Sequence, residues 1–150
     1  MSAAPLQDIE VVIEIDAPPA RVWHDMTDTA RVPLWLGCMH YERRVGHVFY
    51  MQQDAGRRAT GDITGATHCE ILEISEPDRL VFSWFVPGTP RTTVTMTLEA
   101  DGTGGTRVQL VHTGWDQFSG PEIASLRDML AGGWSSYVLP SLKQISESDT

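Results

Sequence analysis

The histidine at position 112 is the residue of this chain whose type and placement best suit acid–base chemistry. It falls in a predicted strand over 106–113, where the two-residue period puts it on the same face as Val108 and Leu110. A histidine that faces an apolar interior could orient a ligand carbonyl or act as a general base, because its ordinary pKa is close to neutrality. The alternative is a core histidine that is hydrogen-bonded to a neighbouring strand or to a helix, as buried polar groups usually are. The sequence leaves both roles open.

Large aromatic side chains are the second group that could meet a ligand. Each ring, taken singly, is better explained as part of the core, whereas together they could wall a pocket for a flat or lipid-like molecule. Two tyrosine hydroxyls, those of Tyr50 and Tyr137, could bind a polar end of the ligand, and Tyr137 is expected on the helix stripe that faces the sheet. The predicted cavity is lined by Trp35, Tyr50, Phe82, Trp84, Leu110, His112, Trp134 and Tyr137.

Motifs for metals, cofactors and covalent catalysis do not occur in the sequence. The other four histidines share no ligand spacing, and Cys38 and Cys69 stand apart without a Cys-x-x-Cys pair. The glycines of 102–105 lack the lysine of a phosphate-binding loop and precede a strand, so they indicate a turn. We therefore expect no metal, no cofactor and no catalytic residue, unless His112 is one.

Composition narrows the classes of partner. Twenty acidic residues against eleven basic ones give the 150-residue chain a formal net charge of -9, which disfavours binding to nucleic acid. Apolar runs are too short to insert in a membrane, and residues 1–7 lack the basic and apolar segments of a signal peptide. We expect a cytoplasmic protein with one domain over 1–150, its core at about 9–146 and tails at 1–7 and 146–150.

The secondary structure follows from changes in the apolar period. Period two over Ile9–Asp16 predicts a first strand, and proline near the start of 19–27 favours a short helix. Thr29 is the expected cap of a second short helix that ends at Leu36. Asp54–Gly65 is polar and glycine-rich, which indicates a mobile loop. Further strands are predicted over 39–45, 47–53, 66–75, 80–86, 91–100 and 106–113.

The last element is predicted to be one long helix over 121–146. Ser119–Glu122 has the form of a capping box, and apolar residues then recur every three or four positions. Pro140 should bend or loosen this helix. The predicted fold class is therefore α+β: a curved antiparallel sheet of about seven strands wrapped around the C-terminal helix, with two short helices after the first strand. Such a layout favours a cavity between helix and sheet.

The order of elements and several local sequences resemble the START-like or SRPBCC superfamily, whose fold is called helix-grip. Within it the chain is similar to proteins related to the activator of the heat-shock protein 90 ATPase. The resemblance covers about residues 9–146 and is specific for the fold more than for function. The segments that carry it are Ile13–Pro18 with Val22–Trp23, Ile71–Ile74 with Pro77–Trp84, Gly105–Val108 with His112–Trp115, and Gly133–Trp134 with Leu139 and Leu142.

Three functions are compatible with this resemblance, which implies a deep apolar cavity under the helix. The first is binding of a hydrophobic small-molecule ligand without catalysis. The second is an enzyme of the cyclase, aromatase or hydrolase kind, in which His112 moves protons. The third is a co-chaperone that stimulates a chaperone ATPase through its outer surface, where the acidic balance would suit a basic partner. A homodimer formed through exposed apolar residues near Asp54–Gly65 or through an edge strand is also open.

Overall fold

Six antiparallel strands form one sheet in the computed structural model, which describes residues 7–52, 54–118 and 121–148. The strand order is β1-β6-β5-β4-β3-β2, so the first and last strands are neighbours and β1 and β2 are the two edges. This arrangement confirms the predicted α+β class. The strands are β1 Ile9–Ile15, β2 Val48–Met51, β3 Thr67–Ser75, β4 Arg79–Trp84, β5 Thr92–Ala100 and β6 Thr106–Thr113.

The inner face of the sheet is built by the alternation that the sequence shows. In β6 the buried side chains include Val108, Leu110 and His112, and in β5 they include Val94 and Met96. Val94 lies opposite His112 and Met96 opposite Leu110, so the buried residues of the two strands form continuous rows. These rows position His112 at one end of the inner face.

Two expectations about the region between the first helices and β3 are wrong. Residues 39–45 form no strand: Met39 makes a single bridge to Tyr50, and the left-handed backbone of His40, with φ of 63°, ends the extended conformation there. The sheet therefore has six strands rather than about seven. The expected loop at 54–65 contains a helix, α3 (Ala55–Thr60), because the Asp54 carboxylate accepts a hydrogen bond from the Arg57 backbone N–H at 2.9 Å.

The two short helices after β1 are present as α1 (Pro19–Thr27) and α2 (Val32–Leu36). Helix α1 has the predicted bounds and begins with proline. Helix α2 begins later than predicted, since the hydroxyl of Thr29 accepts a hydrogen bond from the Arg43 backbone N–H and does not cap the helix. Both helices bury aromatic or aliphatic side chains against the core.

The C-terminal helix runs over 121–147 but changes its hydrogen bonding in the middle. It consists of α4 (Pro121–Gly133), a π-helical turn (Trp134–Val138) and α5 (Leu139–Glu147). The irregularity near Pro140 is confirmed, because proline lacks the N–H that a regular α-helix needs at this position. The backbone N–H of Leu139 bonds instead to the carbonyl of Trp134, five residues earlier. The capping box at Ser119–Glu122 lies outside the fully described residues.

Candidate functional site

His112 is completely buried at the end of β6, and its two ring nitrogens are both hydrogen-bonded within the protein. The indole N–H of Trp134 donates to Nδ1 at 3.2 Å, and Nε2 lies 2.7 Å from the hydroxyl oxygen of Thr92. An indole nitrogen can only donate, so Nδ1 must accept and the proton of the neutral ring is on Nε2. Nε2–H then donates to Thr92, whose hydroxyl donates to the carbonyl of Trp84 at 2.6 Å.

This chain of hydrogen bonds ties the terminal helix to three strands of the sheet. Trp134 belongs to the helix, His112 to β6, Thr92 to β5 and Trp84 to β4. Burial lowers the pKa of His112 to about 3, because a charged imidazolium would lose its hydration there. At neutral pH the ring is thus uncharged, and neither nitrogen is available to a substrate in this arrangement. This matches the core histidine that the sequence allowed as one alternative.

Five rings surround this chain and form what we call the aromatic cluster: Trp84, His112, Trp115, Phe118 and Trp134. The ring centres of His112 and Trp115 are 4.8 Å apart, and those of Trp84 and Trp134 are 5.3 Å apart in an edge-to-face arrangement. Trp115 also contacts Phe118, at 5.9 Å. The cluster therefore closes the end of the inner sheet face where β4 and β6 end and the terminal helix begins its π turn.

Trp115, Phe118 and Thr92 are the members of this site that are not among the eight predicted cavity residues. Trp115 is buried, yet its indole nitrogen has no hydrogen-bond partner in the described part of the chain. Thr92 was missed because its hydroxyl role depends on a strand that is distant in sequence. For Trp115 a signal was present, since it follows His112 by three residues and Gly114 turns the chain there with φ of 99°.

Six of the eight predicted cavity residues are buried, but they lie in separate parts of the interior. Trp84, His112 and Trp134 meet in the aromatic cluster, whereas Phe82 and Leu110 fill the centre of the core. Trp35 lies in the helical layer, where its indole N–H donates to the Asp25 carbonyl at 2.7 Å. Three surface pockets of the described residues lie on the outer face of the sheet, between β1 and α4, and beside α1, and none of the eight residues lines any of these three.

The positions of Tyr50 and Tyr137 differ from the prediction that both side chains line the cavity. Tyr50 alternates with the buried Phe49 and Met51, so it projects from the opposite, outer face of β2 and contacts His68 at 4.9 Å between ring centres. Tyr137 is 74% exposed. The π turn explains this, because the extra residue per turn brings Leu139 into the buried row and leaves Tyr137 outside.

Residues 7–52, 54–118 and 121–148 contain no group of three or more His, Cys, Asp or Glu side chains arranged to hold a metal ion. Within the same residues, no helix has the length and apolar character needed to span a bilayer. The cysteines at 38 and 69 are both buried thiols, and burial raises the pKa of Cys38 to about 12, which disfavours a reactive thiolate.

Comparison with known proteins identifies one family. The model of the family described as Activator of Hsp90 ATPase homolog 1-like protein matches residues 16–147. No curated protein matches the sequence significantly.

Solved structures share the fold over nearly the whole chain. A Bacillus halodurans protein, BH1534, is 24% identical with a TM-score of 0.73, covering 97% of this chain and 100% of its own. The Aha1 dimer from Colwellia psychrerythraea is 17% identical with a TM-score of 0.68, covering 95% and 98%. DynU16, from the dynemicin biosynthetic locus, is 25% identical with a TM-score of 0.68, covering 93% of this chain and 47% of its own.

Proposed function

The chain belongs to the family of Activator of Hsp90 ATPase homolog 1-like proteins, and we propose that it binds a small apolar molecule between α4 and the aromatic cluster. The observation that carries the proposal is that this cluster lies at the junction with the less closely packed half of the terminal helix. The rings of the aromatic cluster are buried against one another, so the ligand enters as α4 moves away from the sheet. Binding thus needs an adaptable helix more than a preformed cavity.

The packing of α4 supports this movement. Its inward apolar residues Ile123, Leu130 and Ala131 contact the core but are only partly buried. On the outside, Leu126 is 38% and Met129 is 67% exposed. An apolar ligand placed beneath α4 would cover more of the inner side chains, and each buried CH₂ group contributes about 0.8 kcal/mol.

The backbone at the end of α4 supports it as well. Gly132 and Gly133 are followed at once by the π turn that begins at Trp134. Glycine weakens a helix interior, and single π turns occur frequently at functional sites. Together they provide a hinge about which α4 can move while α5 stays in place.

An enzymatic role for His112 has less support. A general base needs a nitrogen within reach of the substrate and a pKa near the working pH. Both nitrogens of His112 are occupied by Trp134 and Thr92, and its pKa is far below neutrality. In the proposed site, His112 therefore lines the binding space and holds Trp134 in position.

Binding of N-phenyl-1-naphthylamine, a neutral dye that brightens in apolar surroundings, tests the proposal. We expect saturable binding to the wild-type protein. The Leu130→Gln substitution, on the inner side of α4, should weaken it about tenfold, which corresponds to about 1.4 kcal/mol. The matched Met129→Gln substitution on the outer side should leave the dissociation constant unchanged. Thermal unfolding of both variants serves as the control for folding. No saturable binding, or equal weakening by both substitutions, would contradict the proposal.

The outer side of the same helix favours a second candidate function, binding of a protein. Leu126, Met129 and Tyr137 recur at helical spacing, and all three are exposed. The partner is a chaperone ATPase or a second copy of the chain. A double variant, Met129→Glu with Tyr137→Glu, should then reduce self-association in sedimentation or stimulation of a purified chaperone ATPase. If the wild type shows neither property, this candidate is excluded.

A further inference from the structure

We infer that the ligand is an uncharged molecule with a hydrogen-bond acceptor, such as a ketone oxygen, at its buried end, and that the indole N–H of Trp115 binds this acceptor. The inference rests on the proposed function and adds the chemical class of the ligand and the residue that selects it. It starts from one atom whose bonding is incomplete.

The indole nitrogen of Trp115 is a buried donor without an acceptor. It is one of only two buried side-chain nitrogen or oxygen atoms without a partner that the described residues contain; the other is the indole nitrogen of Trp23. A buried donor without a partner costs free energy, because its bond to water is lost and not replaced, and such groups are therefore rare in folded proteins. A ligand acceptor at Trp115 would remove this cost, and the ligand would gain affinity from it.

The other fully buried polar side-chain atoms of the aromatic cluster already have partners. The indole N–H of Trp134 donates to His112, His112 donates to Thr92, and Thr92 donates to the carbonyl of Trp84. A guest that entered the cluster would therefore find a single fully buried donor without a partner, the N–H of Trp115. Since His112 contacts Trp115 through its ring, at 4.8 Å between centres, the guest's acceptor would lie beside an uncharged wall.

The surroundings of Trp115 also favour an uncharged ligand. Among the described residues, Asp25 is the only charged side chain that is buried, and it lies on α1, paired with Arg21 and Arg31 at 2.9 Å. The aromatic cluster thus offers no counter-ion to a carboxylate or an ammonium group. A charge buried without a partner is far more costly than a neutral polar group. A neutral carbonyl compound fits the site, whereas a ligand whose buried end is a carboxylate does not.

A matched series of naphthalenes tests the inference, because only the group at the buried end varies. The probes are 2-acetylnaphthalene, 2-ethylnaphthalene and 2-naphthoate. We expect the ketone to bind about three- to tenfold more tightly than the hydrocarbon, as one net hydrogen bond contributes about 0.5–1.5 kcal/mol. The carboxylate should bind most weakly. In the Trp115→Phe variant the preference for the ketone over the hydrocarbon should disappear, because phenylalanine keeps an aromatic ring but has no N–H.

Trp23→Phe is the matched control. Trp23 also has a buried indole N–H without a partner, but it lies on α1, at the pocket that Arg43 and Glu76 also line, and it is not part of the cluster. This substitution should leave the ketone preference unchanged. A second readout does not depend on the binding of any variant: of the five indole N–H resonances in the wild-type spectrum, that of Trp115 should move downfield with the ketone and not with the hydrocarbon. It can be assigned directly, or by elimination from the other four Trp→Phe variants.

The outcomes separate the inference from the proposed function. If neither neutral naphthalene binds the wild type, the binding function itself is contradicted. If both bind equally, or if Trp115→Phe retains the ketone preference, the inference is wrong and apolar binding stands. A downfield shift confined to one of the other four tryptophans would overturn the role of Trp115 and assign the acceptor to that residue.

Discussion

The two halves of the terminal helix differ in how they are held to the rest of the molecule. In α5, Leu139 and Leu142 are completely buried and Ser146 is nearly so. In α4 the inward residue Leu130 is only partly buried and Met129 is largely exposed. One half is therefore part of the core, and the other half lies over it with incomplete burial.

The polar contacts of α4 and α5 differ in the same way as their burial. The buried Asp25 carboxylate on α1 accepts hydrogen bonds from Ser146 of α5 at 2.8 Å and from Arg31 at 2.9 Å, and Arg21 donates to the Ile145 carbonyl. Burial opposes ionisation of Asp25, but the hydrogen bonds from Arg21, Ser146 and Arg31 outweigh it, so its pKa is lowered.

Helix α4 is held instead by exposed contacts. The guanidinium of Arg127 donates to the carbonyls of Gln7 and Asp8, just before β1. Exposed polar contacts contribute little to stability, whereas buried and paired groups are costly to break. We conclude from this difference that α5 anchors the terminal helix. Helix α4 belongs to the less stable part of the fold, where ligand-binding elements are commonly found.

The largest expected effect is on the anchored half. Leu142→Ala should lower the free energy of unfolding by about 3 kcal/mol, because it leaves a cavity among fully buried neighbours. The same truncation at Leu126 of α4 should cost less than about 1 kcal/mol, as this side chain is already partly in solvent. Urea denaturation of both variants measures the difference. Equal losses of unfolding free energy in the two variants would show that α4 and α5 are packed alike, which would contradict the comparison.

The junction between the halves should respond to acid. His112 is neutral when folded, with a pKa of about 3, and binds a proton near pH 6.5 when unfolded. Between these values the unfolded state holds more protons, so stability is complete above about pH 6.5 and falls as the pH is lowered. The loss from pH 7 to pH 5 should be about 2 kcal/mol.

Urea midpoints at several pH values measure this loss. His112→Gln should be less stable at pH 7 but should have a shallower decline towards pH 5, with His24→Gln, at an exposed position, as the control for the substitution itself. An undiminished decline in His112→Gln would mean that another group causes it and that the junction does not respond to acid.

The sequence was sufficient for the elements whose apolar period is local and regular. The alternation in β5 and β6 and the bounds of α1 were predicted because each residue's burial depends on its immediate neighbours. The strand expected at 39–45 failed at His40, whose left-handed conformation no apolar pattern reveals. Helix α3 was missed because one capping carboxylate, that of Asp54, decides it.

The candidate site was predictable only in part for a similar reason. His112, Trp84 and Trp134 could be placed on inward faces, since strand and helix periods determine those faces. The π turn moved Tyr137 to the outside, and its position in the helix depends on how tertiary packing accommodates Pro140. The role of Trp115 depends on what its nitrogen fails to contact, which requires coordinates of the whole neighbourhood.

The smallest expected effect is a gain of stability in the loosely held half. Gly133 has helical backbone angles of -63° and -45°, and a methyl group added at Gly132 or Gly133 would meet no atom within 4 Å. Each substitution to alanine should therefore stabilise the protein by about 0.5–1 kcal/mol, through the helix propensity of alanine.

The contrasting control is Gly114→Ala. Its φ of 99° is strained for alanine, and the added methyl would lie 3.0 Å from the Gln117 amide nitrogen. Urea denaturation should show a loss there and a gain at Gly132 and Gly133. If these two glycines form the hinge of α4, hydrogen exchange in α4 should also slow in the double variant, and N-phenyl-1-naphthylamine should associate more slowly. A stiffer hinge can alter ligand entry only if α4 moves about it. If stability rises while hydrogen exchange in α4 and the association rate of the dye stay unchanged, the motion does not take place about these two glycines.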